Sequence, residues 1–178
     1  MKKIFVLTAV LLFSCITFAQ KIACVDSDYI LSNLPEYKQA QKELEDVSLQ
    51  WQREIENKLA EVDKMYKSYQ AEALLLPEEL KTKKENEIVA AEKEVKNLQK
   101  QRFGNDGDLS QKRSSLIKPI QDRIYNAIEK VAQEKNYSMV FDKSSGATVL
   151  YSESKIDISD VVLAELGYKV NGNNSSKR

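Results

Sequence analysis

The chain offers few side chains that could carry out catalysis. It contains no histidine, which removes the commonest general base, the commonest metal ligand and every catalytic triad built on an imidazole. Asp26 and Asp28 could both approach a cation, but no other ligands cluster beside them. Capping of a helix that starts at this point is the simpler interpretation of the pair. The sequence therefore predicts no enzyme, no metal site and no cofactor.

Residues 1–19 have the pattern of a signal peptide. Lys2 and Lys3 precede an apolar run, and small residues lead up to Ala19. We expect cleavage after Ala19 and export to the periplasm. The alternative is a lipoprotein, because the residues before Cys15 loosely resemble the box at which a cysteine is acylated.

Cys24 is the only cysteine of the mature chain if cleavage follows Ala19. An intrachain disulfide is then impossible. The segment from Lys21 to Val25 favours a β-strand. We therefore interpret Cys24 as a small, buried, apolar residue of that strand rather than as a reactive thiol.

Acidic and basic residues balance in this sequence. There are 27 of each, for a net charge of zero, so the attraction that draws proteins to nucleic acids is missing and we expect no nucleic-acid partner. The most basic stretch is interpreted as the solvated face of a helix. Its members are Lys93, Lys96, Lys100 and Arg102.

A long helical segment dominates the middle of the chain. Residues 36–103 contain no glycine and one proline, and apolar residues recur among charged ones at steps of three and four, as in a coiled coil. Because a lone helix keeps little order, the chain should fold back as an antiparallel hairpin over 36–118. We expect the turn at 75–77, beside Pro77, and a turn at Gly104–Gly107 is the alternative.

The predicted seam of this hairpin is irregular. Trp51, Ile55 and Leu59 are spaced by four and four residues, a stutter that locally unwinds a coiled coil. Beyond it, the apolar pattern predicts that Tyr66 and Tyr69 face inward. The apolar residues left off the seam are Leu49, Met65, Leu74 and Leu75.

Short elements at the two ends of the chain predict a small base made of residues 20–35 and 119–170. A base of this size without disulfides and with open sheet edges should need partner subunits. The candidate residues for association are Ile22, Cys24, Val140, Phe141, Val149 and Tyr151. The predicted elements are strands at Lys21–Val25, Ser138–Asp142 and Ala147–Ser152, a helix at Asp157–Leu166 and a disordered tail, 171–178.

The order of these elements resembles one known family. A KIA-V strand at 21–25 follows the signal peptide, and the charged hairpin continues into a return helix over Ile120–Val131. A strand that ends at Asp142 and a helix that begins DISDVV at Asp157 complete the pattern. Over residues 21–168 the chain resembles the Skp/OmpH family of periplasmic chaperones.

The resemblance implies a fold and an activity. The fold is mostly α with a small β-containing base, and a long antiparallel coiled-coil hairpin arm projects from a trimerisation body. The implied protein is a homotrimer that holds unfolded outer-membrane proteins between its arms without ATP. The best-known members are strongly basic and this chain is not, so contact with membranes or lipopolysaccharide is expected to be weak at most.

Apolar residues outside the seam or near the turn are the candidates for contacting unfolded proteins. Three consecutive leucines cannot all face one helical partner, so at least one should be exposed. A structural envelope protein whose arms bind one folded partner is the alternative function. The candidate residues are Leu49, Met65, Tyr66, Tyr69, Leu74, Leu75 and Leu76.

Overall fold

The computed structural model describes residues 21–146 and 149–169, and most of these residues are helical. The expected fold class, mostly α with a small β-containing part, is confirmed. The predicted signal peptide, Cys15 and the predicted tail lie outside the described residues. The elements are β1 (Lys21–Val25), α1 (Ser27–Asn33), α2 (Pro35–Glu72), α3 (Glu78–Phe103), α4 (Asp108–Lys135), β2 (Tyr137–Asp142), a 3₁₀ turn (Ser154–Ile156) and α5 (Ser159–Glu165).

These elements form two compact units. Residues 21–30, 124–146 and 149–169 make up one of them, which we call the β unit. Residues 31–123 make up the other, which we call the hairpin unit. None of the helices in the described part of the chain combines the length and the hydropathy that a membrane span requires.

The β unit is built on two parallel strands. β1 and β2 pair with Ile22 opposite Met139 and Cys24 opposite Phe141. On the other edge of β1, the backbone N–H of Ile158 donates to the carbonyl of Cys24 at 2.9 Å. Both edges of β1 are therefore covered, whereas β2 has a partner on one edge only among the residues that the structure describes.

The strand expected at Ala147–Ser152 is wrong. Residues 149–152 have no regular secondary structure, and 147–148 lie outside the described residues. β2 pairs instead with β1, from the other end of the chain. β1 is buried over Ala23–Val25, so its backbone N–H and C=O groups need partners inside the unit, and β2 supplies them.

The core of the β unit combines β1 with three helices. α4 presents buried residues at the spacing of one helical face, Ile124, Ala127 and Val131. α5 contributes Val162 and Leu163, which are almost fully buried. The short helix predicted near the end of the chain is thus confirmed as a packing element.

Asp26 caps α1, as the sequence predicts. Its carboxylate accepts a hydrogen bond from the backbone N–H of Tyr29 at 2.9 Å, and its own N–H donates to Ser159 Oγ at 2.9 Å. Asp28 lies exposed in the first turn of the same helix. Among the described residues, no group of three or more acidic or cysteine side chains is placed to hold a metal ion.

The hairpin unit consists of one continuous limb and one interrupted limb. α2 begins with Pro35 as its first residue, where the sequence predicts, and continues to Glu72. The chain turns over 73–77, and two acidic residues open α3, where they interact favourably with the positive helix terminus. Residues 104–107 then separate α3 from α4.

Ion pairs show how α2 meets the returning helices. As the residue numbers of the partners on α2 decrease, those of the partners on α3 and α4 increase. Both helices therefore run antiparallel to α2, and residues 104–107 do not reverse the chain. Exposed pairs of this kind contribute at most about 1 kcal/mol each, so they define the register more than the stability. The pairs are Glu72–Lys84, Lys58–Glu94, Glu54–Arg102, Glu43–Lys112 and Glu36–Arg123.

The inward face of α2 differs from the predicted seam. Leu59 and Tyr66 are 47% and 48% exposed. Lys58 takes the inward position, with its ammonium 3.1 Å from the Glu94 carboxylate. A lysine stem can cover apolar surface while its charged head reaches solvent, so a pattern read from apolar residues alone misplaces this part of the seam. The half-buried positions that follow Ile55 are Lys58, Val62, Met65 and Tyr69.

Candidate functional site

Leu74 and Leu75, which we call the tip surface, are the most exposed apolar side chains of the hairpin unit. Their side chains are 96% and 87% exposed. The backbone of this segment is fixed by a hydrogen bond, which the N–H of Leu75 donates to the carbonyl of Glu72 at 2.8 Å. Covering such side chains is favourable by about 25 cal/mol per Å² of apolar area. The tip surface therefore presents apolar area that is accessible in the observed conformation.

The other candidates for contact with unfolded proteins divide into two groups. Leu49 and Tyr66 are 45% and 48% exposed and remain available. Met65, Tyr69 and Leu76 are half-buried, and the Tyr69 hydroxyl donates to the Glu85 carboxylate across the hairpin. Tyr69 therefore packs one limb on the other, as its spacing predicts.

Ile22, Met139 and Phe141, which we call the edge surface, are exposed apolar residues of the β unit. Their side chains are 45%, 53% and 42% exposed. Ile22 pairs with Met139, and Phe141 lies two residues further along β2, so all three share one face of the sheet. Sequence reasoning missed Met139, although its spacing of two from Phe141 is the signal that would have found it.

The remaining candidates for association differ in exposure. Cys24 is 3% exposed, as expected for a small apolar strand residue, and its side chain has no surface left for a partner. Val140 is half-buried and belongs to the opposite face of the sheet from Met139. Val149 and Tyr151 are 39% and 84% exposed, and they lie in the segment without regular structure.

Asp142 fixes the end of the edge strand. Its carboxylate accepts hydrogen bonds from the backbone N–H and hydroxyl of Ser27, at 3.1 and 2.7 Å. It also accepts them from the N–H and hydroxyl of Ser144, at 3.1 and 2.8 Å. Burial would raise the pKa of Asp142, but these hydrogen bonds favour the charged form and hold its pKa below the ordinary value. Asp142 thereby ties β2 to the start of α1.

Asp157 makes a second polar junction beside β1. Its carboxylate accepts hydrogen bonds from Lys143 at 2.6 Å and from the hydroxyl and N–H of Ser159 at 2.6 and 2.9 Å. Burial opposes ionisation, yet these bonds lower the pKa of Asp157. The bond to Asp157 in turn raises the pKa of Lys143. Both groups therefore stay charged through the neutral range, and the junction persists there.

We expect Asp142→Asn to lower the free energy of unfolding by about 1–3 kcal/mol at about pH 7, because an amide cannot replace several charge-assisted bonds. The carboxyl pKa is lower in the folded protein than its ordinary value of 3.8, so the carboxylate stabilises the fold at pH values above 3.8. This contribution disappears as the pH falls through the folded-state pKa. The difference between wild type and variant should therefore shrink in acid. Urea unfolding followed by circular dichroism, at about pH 7 and about pH 3, measures both effects.

The matched control for this substitution is Asp28→Asn, at an exposed position two residues along α1. It should lower the unfolding free energy by less than about 1 kcal/mol, since among the described residues Asp28 interacts only with the positive end of α1. An equal loss in the two variants, or a loss in Asp142→Asn that does not shrink in acid, would contradict the assigned role of Asp142.

Arg102 does not belong to a solvated basic face. Lys93, Lys96 and Lys100 are exposed, in agreement with that interpretation. The Arg102 side chain is only 24% exposed and pairs with Asp108 at 2.6 Å. The interpretation is therefore wrong for Arg102, because the local sequence does not reveal what lies across the hairpin.

Comparison with known proteins gives consistent matches. The profile of a family described as outer membrane protein (OmpH-like) matches residues 21–166. An uncharacterized protein of Aquifex aeolicus (strain VF5) is 34% identical over 166 residues, which cover 93% of this chain and 96% of that protein. The crystal structure of a candidate outer membrane chaperone (OmpH-like) from Caulobacter crescentus CB15 matches with a TM-score of 0.69 and 15% identity. That match covers 84% of this chain and 85% of the other, and it shows a shared fold.

Proposed function

Because this chain belongs to the OmpH-like outer membrane protein family, we propose that it is an ATP-independent periplasmic holdase for unfolded outer-membrane proteins, which it delivers for outer-membrane assembly. The tip surface carries this proposal, since Leu74 and Leu75 are 96% and 87% exposed. Unfolded barrel strands present alternating apolar residues with little other sequence in common. A short, exposed apolar contact suits such clients because it selects hydrophobicity rather than sequence.

Association of three copies is the second part of the proposal. We assign residues 20–35 and 119–170 to the oligomerisation body and residues 36–118 to arms that surround the client. The edge surface supports this, because β2 has a free edge among the described residues and carries apolar side chains beside it. Such an edge readily pairs with another chain. Mass photometry should find trimers, and monomers alone would contradict this part.

The holdase activity has a direct test. An outer-membrane β-barrel unfolded in urea should stay soluble on dilution when the mature protein is present at near-equimolar trimer without ATP. Light scattering follows the precipitation, and an equal mass of a soluble protein without exposed apolar surface serves as the control. Unchanged precipitation would contradict the proposed function.

The alternative function, a structural envelope protein, predicts a different set of partners. Pull-down with the mature protein should then return one folded protein in fixed stoichiometry. A mixed set of unfolded barrel proteins is the result expected of a holdase. The proposal includes no catalytic step, in keeping with a sequence that lacks histidine.

A further inference from the structure

The second limb of the hairpin packs on α2 differently before and after residues 104–107. The backbone of α3 packs closely on α2, whereas that of α4 does not. An open groove of about 500 Å³ is lined by both α2 and α4, with Leu44 and Leu109 among its lining residues. Long side chains bridge the limbs there, as in the ion pair between Glu43 and Lys112. Beside the groove, Ala40 and Leu44 on α2 and Ile120 on α4 are buried, so side chains rather than close backbone packing hold these two helices together.

The interruption itself depends on two glycines. A Cβ atom on Gly104 would lie 2.4 Å from the carbonyl oxygen of Lys100, and one on Gly107 would lie 2.6 Å from that of Gln101. Real Cβ atoms do not approach a backbone oxygen so closely, so the tight path of the chain requires glycine at both positions. Gly104 already has extended backbone angles, with φ −64° and ψ 167°.

A non-helical segment in one limb allows a hairpin to bend. Two continuous helices resist bending because neither can change its length. A residue that leaves the helical conformation can increase its rise along the chain from about 1.5 Å to about 3.3 Å. With limbs about 9 Å apart, each 3 Å of length change tilts the outer part of the hairpin by roughly 20°. Residues 104–107 supply this freedom, and the uninterrupted α2 keeps the two parts aligned.

Arg102 connects the three helices that meet at this interruption. Its guanidinium lies 4.7 Å from the centre of the Trp51 ring on α2. The same group pairs with Asp108, the first residue of α4, at 2.6 Å and with Glu54 at 3.3 Å. Phe103 meets Trp51 edge to face, with ring centres 6.4 Å apart. Removing Arg102 would therefore remove, at the interruption itself, the side-chain contacts that join the end of α3 to α2 and to the start of α4.

We propose that residues 104–107 are a joint in the hairpin and that Arg102 is the latch that holds it in the observed position. With the latch closed, the parts of the hairpin unit on either side of the joint keep one angle. With the latch released, that angle varies. This inference rests on the geometry of the hairpin unit and does not depend on the proposed function.

Spin labels on either side of the joint test this proposal. Lys93 on α3 and Ser114 on α4 are exposed, so each can be replaced by cysteine in a Cys24→Ala protein that starts at Gln20. Pulsed electron paramagnetic resonance should give a narrow distance distribution, and Arg102→Gln should broaden it about twofold because a cation–π contact and two ion pairs are lost together.

Two further measurements separate a latch from a merely stabilising residue. Arg53→Gln is the matched control, because Arg53 is exposed on the same hairpin and has no ion pair in the described part of the chain. Trp51 is the only tryptophan, so its quenching by acrylamide should rise in Arg102→Gln and not in Arg53→Gln. A lower unfolding midpoint with an unchanged distance distribution would overturn the proposal. If Arg102→Gln does not fold, Asp108→Asn, which keeps the stacking on Trp51, must broaden the distribution for the proposal to stand.

Discussion

Replacing Phe141 with lysine is expected to convert the proposed trimer into monomers. Phe141 is 42% exposed and lies on the edge surface beside Ile22 and Met139. A lysine there would have to leave water when a partner covers β2, and an unpaired buried charge is destabilising by several kcal/mol. Since a difference of about 1.4 kcal/mol changes an equilibrium tenfold, association should be lost at the concentrations used for mass photometry.

Tyr125→Lys is the control for this result. Tyr125 is an aromatic residue of the same β unit, is 67% exposed and lies on α4 rather than on a strand. Its replacement adds the same charge and should leave the trimer intact. Circular dichroism of both variants distinguishes a folded monomer from an unfolded chain. A Phe141→Lys trimer as stable as the wild type would remove the edge surface from the proposed interface.

Local signals were sufficient to predict most of the helices and the first strand. Pro35 can begin a helix but not continue one, and Asp26 can satisfy a free N–H at a helix start, so both positions mark boundaries by their own chemistry. The apolar spacing along α4 likewise predicts its buried face from helical geometry alone. The fold class follows from such elements, because each depends on residues close together in the chain.

Pairings between distant segments could not be predicted in the same way. Nothing near β2 shows that its partner is β1, and the turn at 143–146 favours a local strand that does not form. The role of Asp142 was missed for the same reason, since the hydroxyl of Ser27 reaches it from the other end of the chain. The stacking of Arg102 on Trp51 also depends on which residues the hairpin places opposite each other.

The sequence predicted that at least one of three consecutive leucines is exposed at the turn, and two of them are. Three adjacent residues point in directions about 100° apart on a helix, so exposure of at least one follows from geometry. The structure exposes two of them, Leu74 and Leu75, and leaves Leu76 half-buried. The sequence could not select the pair, because residues 73–77 leave helical geometry and the turn decides which side chains point outward.

Replacing both Leu74 and Leu75 with serine is expected to raise the concentration needed to prevent precipitation of an unfolded β-barrel about tenfold or more. Covering one exposed leucine in a shifting, incomplete contact contributes roughly 1 kcal/mol. Two such contacts on each arm therefore exceed the 1.4 kcal/mol that corresponds to a tenfold change in binding. The same light-scattering assay, repeated over a concentration series, gives the midpoint.

The double substitution should leave the fold unchanged. Both side chains are almost fully exposed, so they contribute little packing, and they follow the end of α2 at Glu72. Urea unfolding and mass photometry should match the wild type. A loss of stability or of the trimer would mean that any loss of activity has another cause.

Val89→Ser combined with Ala90→Ser is the matched control on the same hairpin. Val89 is 61% exposed and lies on α3, away from the turn, so this pair also replaces exposed apolar surface with hydroxyls. If clients bind at the tip, the control should retain nearly all of the wild-type activity. If both pairs weaken binding equally, contacts are spread along the hairpin and the tip surface has no special role. In the proposed trimer three tips act together, so weak contacts there reinforce one another, and the loss of two leucines per arm should therefore have a large effect.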